Sequence, residues 1–243
     1  MRISADDPVP FLTGRLSRPG GSTQLRARSA WDFAELVREA LAIVPASASA
    51  PDDSVKIDLV GSFTGPPPSA ELSRDMVVRL AETNVTLSIS LEPSWRQRLS
   101  NDSRAPSETE SKLFFSVSGH FDPNAFTQTV GVSPTSVVRE GEPRLLIPRV
   151  SVWSLKRGPF TGHEIPVDAI EALLGELVPR AAVIRSATND ANVTSSFGVF
   201  IDLADVAPTF RLSSRHFVGL ARLGSSVEYS VSILRESSAV LEF

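Results

Sequence analysis

The sequence predicts an α/β (α+β) fold, a two-layer sandwich in which helices cover one face of a mixed β-sheet. Segments with helical apolar spacing alternate with segments rich in β-branched residues, and the order helix, strand, helix, strand occurs twice. Of the 243 residues, 42% are hydrophobic and 21% are charged. These fractions are typical of globular domains and favour a packed core.

The second half of the chain begins with a predicted strand and a short helix. Residues 112–118 are aromatic and β-branched, which indicates a strand. Asp122 can cap the first amides of a helix and Pro123 suits its first position, so we predict a helix over 124–130. Gly131 is expected to end that helix.

Two more strands and the clearest helix follow. Residues 145–155 are predicted to form an edge strand or a bulged strand, because Pro143 and Pro148 cannot donate to a ladder. Apolar residues recur at helical spacing over 167–178, between Pro166 and Pro179. Residues 197–203 have the composition of a strand.

The last predicted elements are a helix over 213–223 and an alternating strand over 227–234. Gly224 stands where a left-handed cap is expected. His216 lies on this helix, where we expect a packing or surface role and no metal binding. The apolar side of the helix is predicted to comprise Phe217, Val218, Leu220, Ala221 and Leu223.

The first half repeats this pattern in shortened form at about residues 30–91. Residues 55–59 (VKIDL) match 199–203 (VFIDL), and both segments lead through a proline-bearing loop to a Leu-Ser pair. Predicted helices at 33–44 and 73–83 match the helices of the second half, and the second has Val78, Leu80 and Ala81 on its apolar side. The predicted organisation is a truncated copy at 1–92, a linker or exposed loop at 93–111 and a full domain at 112–243.

The truncated copy is expected to lack counterparts of the strand at 112–118 and of the short helix after it, because few residues precede its first helix. We expect the two copies to pair around a pseudo-two-fold axis. In that arrangement the first copy extends the sheet of the second and covers an exposed edge.

Four short motifs carry a family resemblance: FSVSGHFDP at 115–123, GVSPT at 131–135, REG at 139–141 and WSL at 153–155. In this order they resemble the bacterial domain-of-unknown-function 4279 family, over about residues 112–235. The resemblance implies a small α/β domain of immunity type, with no established catalytic residues to transfer.

Composition excludes several functional classes. The chain has no cysteine, which excludes disulfides, thiolate catalysis and cysteine-containing zinc sites. Its net charge of −4 comes without a basic stripe, so we expect no nucleic-acid partner. We also expect no metal, no cofactor and no membrane segment, and the start of the chain has no signal-peptide pattern, so the expected location is the cytoplasm.

The candidate binding surface lies near the family motifs and comprises His120, Asp122, Arg139, Glu140, Arg144 and Trp153. Tryptophan is common both in cores and at interfaces, so Trp153 fits either place. Loops at 61–72, 135–144 and 186–195 are further positions where recognition residues are expected. The predicted function is protein binding without catalysis, of the kind by which an immunity protein neutralises a toxin. The alternative is a small-ligand binder or hydrolase with a pocket near His120, Asp122 and Trp153.

Overall fold

The computed structural model describes residues 11–18, 21–26, 32–44, 55–63, 69–93, 108–142, 149–189, 192–203 and 207–233. Within these residues the chain forms two mixed β-sheets and a set of helices, which confirms the predicted fold class. Every second residue is buried along the central strands at 55–63 and 110–119. Each sheet therefore turns one face to the core and leaves the other accessible.

The first sheet has the strand order β10-β5-β3-β1-β2. Its strands are β1 (Phe11–Arg18), β2 (Gly21–Arg26), β3 (Val55–Phe63), β5 (Val85–Pro93) and β10 (Phe210–Leu212). The second sheet has the order β4-β11-β9-β6-β8-β7. Its strands are β4 (Ser69–Leu72), β6 (Glu110–Gly119), β7 (Ser136–Val138), β8 (Ser151–Thr161), β9 (Val193–Leu203) and β11 (Ser226–Ile233).

The helices lie close to the predicted positions. They are α1 (Phe33–Ile43), α2 (Arg74–Glu82), α3 (Pro123–Val130), α4 (Val167–Leu177), α5 (Ala181–Ala187) and α6 (Ser214–Leu223). The helix α5 was not predicted, because Pro179 was expected to end the preceding helix. Instead Pro179 lies in a 3-10 turn, Val178–Arg180, that leads into α5, in keeping with the preference of proline for the first turn of a helix.

The predicted helix ends are confirmed where local chemistry decides them. The Asp122 carboxylate accepts the amide N–H of Asn124 at 2.9 Å, and Gly131 ends α3 with φ 69°. Gly224 ends α6 with φ 70°, and Asn84 follows α2 with φ 49°. Both positions therefore adopt the left-handed conformation, which was predicted for Gly224.

Each sheet is completed by a short strand from the other half of the chain. The strand β4 lies in the first half but pairs antiparallel with β11, with Glu71 opposite Glu228. The strand β10 lies in the second half but pairs antiparallel with β5, with Arg211 opposite Ser88. The helices that follow these strands, α2 and α6, pack against each other. Among the described strands of the first half, only β4 joins the second sheet, and the others form the first sheet together with β10.

The expectation that the first half lacks a counterpart of the strand at 112–118 is wrong. The strand β1 pairs antiparallel with β3, as β6 pairs with β9, and β2 stands beside β1 as β8 stands beside β6. No helix equivalent to α3 fits here, because only residues 19–20 connect β1 to β2. Residues 94–107 of the predicted linker and 145–148 of the predicted strand lie outside the described residues.

Candidate functional site

Four residues of the predicted surface meet at the end of β6 and the start of α3. The Nδ1 atom of His120 lies 2.9 Å from Oε2 of Glu140, and both side chains are exposed. The amide N–H of Glu140 donates to Oγ of Ser151 at 3.2 Å, which fixes the loop against β8. Asp122 and Arg139 both form hydrogen bonds with Asn124.

Asn124 joins the other two residues into this network. Nη2 of Arg139 donates to Oδ1 of Asn124 at 3.0 Å, while the amide N–H of Asn124 donates to the Asp122 carboxylate. Asp122 is thus committed to capping α3. Within the described residues these side chains form an exposed polar patch, and Arg144 lies outside those residues.

Trp153 is not part of this surface, so its inclusion there was wrong. Its side chain is fully buried, with 0% of its surface exposed. It makes edge-to-face contacts with Phe126 and Phe115, at centroid distances of 5.2 and 6.3 Å. Its indole N–H donates to Oγ1 of Thr127 at 3.0 Å. Alternation along β8 points Trp153 into the core, so it cannot line a pocket with His120 and Asp122.

A groove of about 620 Å³ lies elsewhere, on the outer side of α2 and α6. Val78 and Val218 line it and are 37% and 38% exposed. Each valine stands five residues after the cap of its helix, Ser73 or Ser213. The two halves of the molecule therefore place the same apolar side chain at equivalent points of one surface.

The assignment of both valines to the buried helix side was wrong. In α2 the buried residues include Val77 and Leu80, and Val78 lies about 100° further round the helix from Val77. In α6 Val218 follows the buried Phe217 in the same way. The angular position of each valine around its helix places it away from the buried side. Its apolar character alone does not reveal this.

The rim of the groove is mainly basic. Arg74, Arg185 and Arg222 line it together with one acidic residue, Glu82. Within the described part of the chain, the three guanidinium groups form no ion pair with a carboxylate. Ala81 and Ala221 make up more of the floor, so the groove combines a small-residue apolar base with cationic edges.

His216 lies on α6, and its side chain is buried. Its Nδ1 accepts the amide N–H of Ser213 at 3.1 Å, while neither Nε2 nor the Ser213 hydroxyl oxygen has a hydrogen-bond partner among the described residues. Burial lowers the pKa of the imidazole, Arg215 acts in the same direction, and Glu171 opposes them. The expected packing role of His216 is confirmed.

We expect the free energy of unfolding to fall as the pH drops below 6.5, the ordinary pKa of histidine. In that range the histidine of the unfolded chain binds a proton more readily than buried His216 does. Protonation therefore favours the unfolded state. In His216→Gln, the amide can still accept the Ser213 N–H and does not titrate. Urea denaturation across this pH range should give a smaller loss of stability for the variant than for the wild type. An equal loss in both would exclude His216 as the cause.

Residues 109–234, just over half of the chain, match the family model described as a domain of unknown function, DUF4279. The chain belongs to this family. The match runs from just before β6 to just after β11 and confirms the resemblance predicted from the motifs. The match does not include residues 30–91, whose relation to the family stays a prediction. No curated protein and no solved structure matches the chain.

Two negative findings apply to the described residues. No helix there is both long enough and apolar enough to cross a membrane. No three histidine, aspartate or glutamate side chains come together there in a way that could hold a metal ion. The DUF4279 match adds no ligand, partner or reaction to these findings.

Proposed function

We propose that this DUF4279 protein is a non-catalytic protein-binding protein of the bacterial cytoplasm, and that it neutralises a toxin in the manner of an immunity protein. The groove on α2 and α6 supports binding because it leaves Val78 and Val218 exposed on a helix surface. Exposed apolar patches with a polar rim are characteristic of protein interaction sites.

The charge of the rim defines the chemistry of the partner. Arg74, Arg185 and Arg222 favour a segment that carries carboxylates, because arginine binds a carboxylate through two parallel hydrogen bonds. The valines and alanines between them favour short aliphatic side chains. The proposed occupant is therefore an acidic amphipathic segment of the partner protein.

The test is a pair of substitutions in the groove, Val78→Asp and Val218→Asp, combined in one variant. Carboxylates at these positions should repel an acidic segment and oppose burial of the apolar floor. Once a partner has been captured from the native host with the wild-type protein and purified, its Kd for the double variant should be about 100-fold higher or more.

Val167→Asp is the matched control, because Val167 is 40% exposed, is also helical and lies outside the groove. The control should bind the partner like the wild type. Co-expression with the captured partner, which we expect to be toxic when expressed alone, should show protection by the wild type and the control, and none by the double variant. Equal binding by all three proteins would overturn the groove as the binding surface.

A further inference from the structure

A second cavity, of about 320 Å³, lies at the end of the second sheet where β4 leads into α2. Residues at the start of β9 and β11 line it together with residues of β4, the start of α2 and the glycine that caps α6. The cavity exists because β4 is exchanged between the halves, which brings Glu71 and Arg74 to strands of the other half.

Two carboxylates face each other on one wall. Glu71 and Glu228 are directly opposite across the antiparallel pair of β4 and β11, on the same face of the sheet. Like charges at directly opposed positions destabilise a sheet. Neither carboxylate lies within ion-pair distance of a cationic side chain in the described residues. The pair therefore presents a position where a positively charged group would be stabilised.

Arg74 also lines the cavity. The Arg74 side chain occupies the space beside Gly224, where a Cβ would overlap its guanidinium group. The φ of 70° at position 224 also favours glycine there. In the described residues the guanidinium has no hydrogen-bond or ion-pair partner, so its donors are available to a ligand carboxylate.

Hydroxyl groups line the same cavity. Ser118, Thr194, Ser196 and Ser226 line the cavity and lie on neighbouring strands. The hydroxyl oxygens of Ser118 and Thr194 are 3.2 Å apart. Each hydroxyl can donate or accept, so this floor can adapt to polar groups of a ligand without adding a net charge.

We propose that this cavity binds a small zwitterion of the amino-acid type. Its carboxylate binds Arg74, its ammonium group lies between Glu71 and Glu228, and its polar atoms meet the hydroxyl floor. The volume is at the lower end of the range for ligand sites, about 300–1,000 Å³, and suits a molecule of this size. This site is distinct from the proposed partner groove, although Arg74 borders both.

The test uses the full chain and each of the twenty proteinogenic amino acids at millimolar concentration, with binding measured by calorimetry. An amino acid that binds is then compared with its amide, which has no carboxylate, and with its N-acetyl form, which has no ammonium group. The variants are Arg74→Gln and Glu228→Gln. The control is Glu110→Gln, on the same sheet but outside the cavity.

Arg74→Gln should weaken binding of the amino acid by about tenfold or more, the scale of one charge-assisted hydrogen bond, and should leave binding of its amide unchanged. Glu228→Gln should weaken the amino acid in the same way and leave its N-acetyl form unchanged. Without ligand, Glu228→Gln should also unfold at a higher urea concentration than the wild type, since one of two opposed charges is gone.

The proposal is overturned if no amino acid binds saturably, if binding is unaffected by the two variants, or if Glu228→Gln lowers the urea midpoint. Val78 and Val218 remain intact in all these proteins. Arg74 also lines the rim of the partner groove, so the two proposals are separated by Glu228→Gln, which lies outside that groove, and by Val78→Asp/Val218→Asp, which lies outside the cavity.

Discussion

Replacing Trp153 with alanine is expected to lower the free energy of unfolding by about 3–5 kcal/mol. The indole fills a fully buried site against Phe115 and Phe126, so its removal leaves a large cavity in the core of the second sheet. It also removes the hydrogen bond to Thr127. Urea denaturation followed by circular dichroism measures the loss.

Two further variants separate packing from hydrogen bonding. Trp153→Phe keeps an aromatic ring, and the Thr127 hydroxyl still donates to the Pro123 carbonyl at 2.7 Å, so this variant should lose less stability than the alanine variant. Thr127→Ala keeps the indole but leaves its buried N–H without a partner, which costs about 1–3 kcal/mol. If Trp153→Ala unfolded like the wild type but lost partner binding, Trp153 would belong to an interface after all.

Structural features that depend only on residues close together in the sequence were predictable. Asp122 and Pro123 start α3, and Gly131 and Gly224 end their helices, because caps depend on chemistry within one turn. The exposed network of His120 and Glu140 was predictable for a similar reason. Both residues stand at ends of strands or in loops, where polar side chains remain accessible.

The first hairpin was missed because its apolar alternation is interrupted. In β1 the inward positions include Leu12 and Leu16, with Gly14 between them. A Cβ at Gly14 would lie 3.1 Å from atoms of Leu25 and Leu59, so these neighbours already fill the place of a side chain. Gly14, which interrupts the apolar alternation of β1, is therefore the residue that tight packing favours at this position.

The groove and the cavity could not be predicted because both depend on contacts between distant segments. The exchanged strands β4 and β10 have four and three residues, which is too short for a clear period. Their partners are more than a hundred residues away in sequence. Without that pairing, nothing in the sequence places Arg74 beside Gly224 or Glu71 opposite Glu228.

Residues 93–243 expressed without the first 92 are expected not to fold. The deletion removes β4 from the edge of β11 and α2 from its packing against α6, and it leaves β10 without β5. An unpaired strand edge and newly exposed core residues promote aggregation. Size-exclusion chromatography and urea denaturation should show aggregates and no cooperative transition, although this fragment contains the whole family match.

Co-expression of 1–92 and 93–243 as separate chains is the control, since it restores every exchanged pairing and changes only chain continuity. The two fragments should copurify and unfold cooperatively, because strand pairing between the halves does not require a covalent link. A stable, monomeric 93–243 fragment would contradict the prediction. Restored folding in the control would show that the first half provides structural elements without which the sheet of the DUF4279 domain is incomplete.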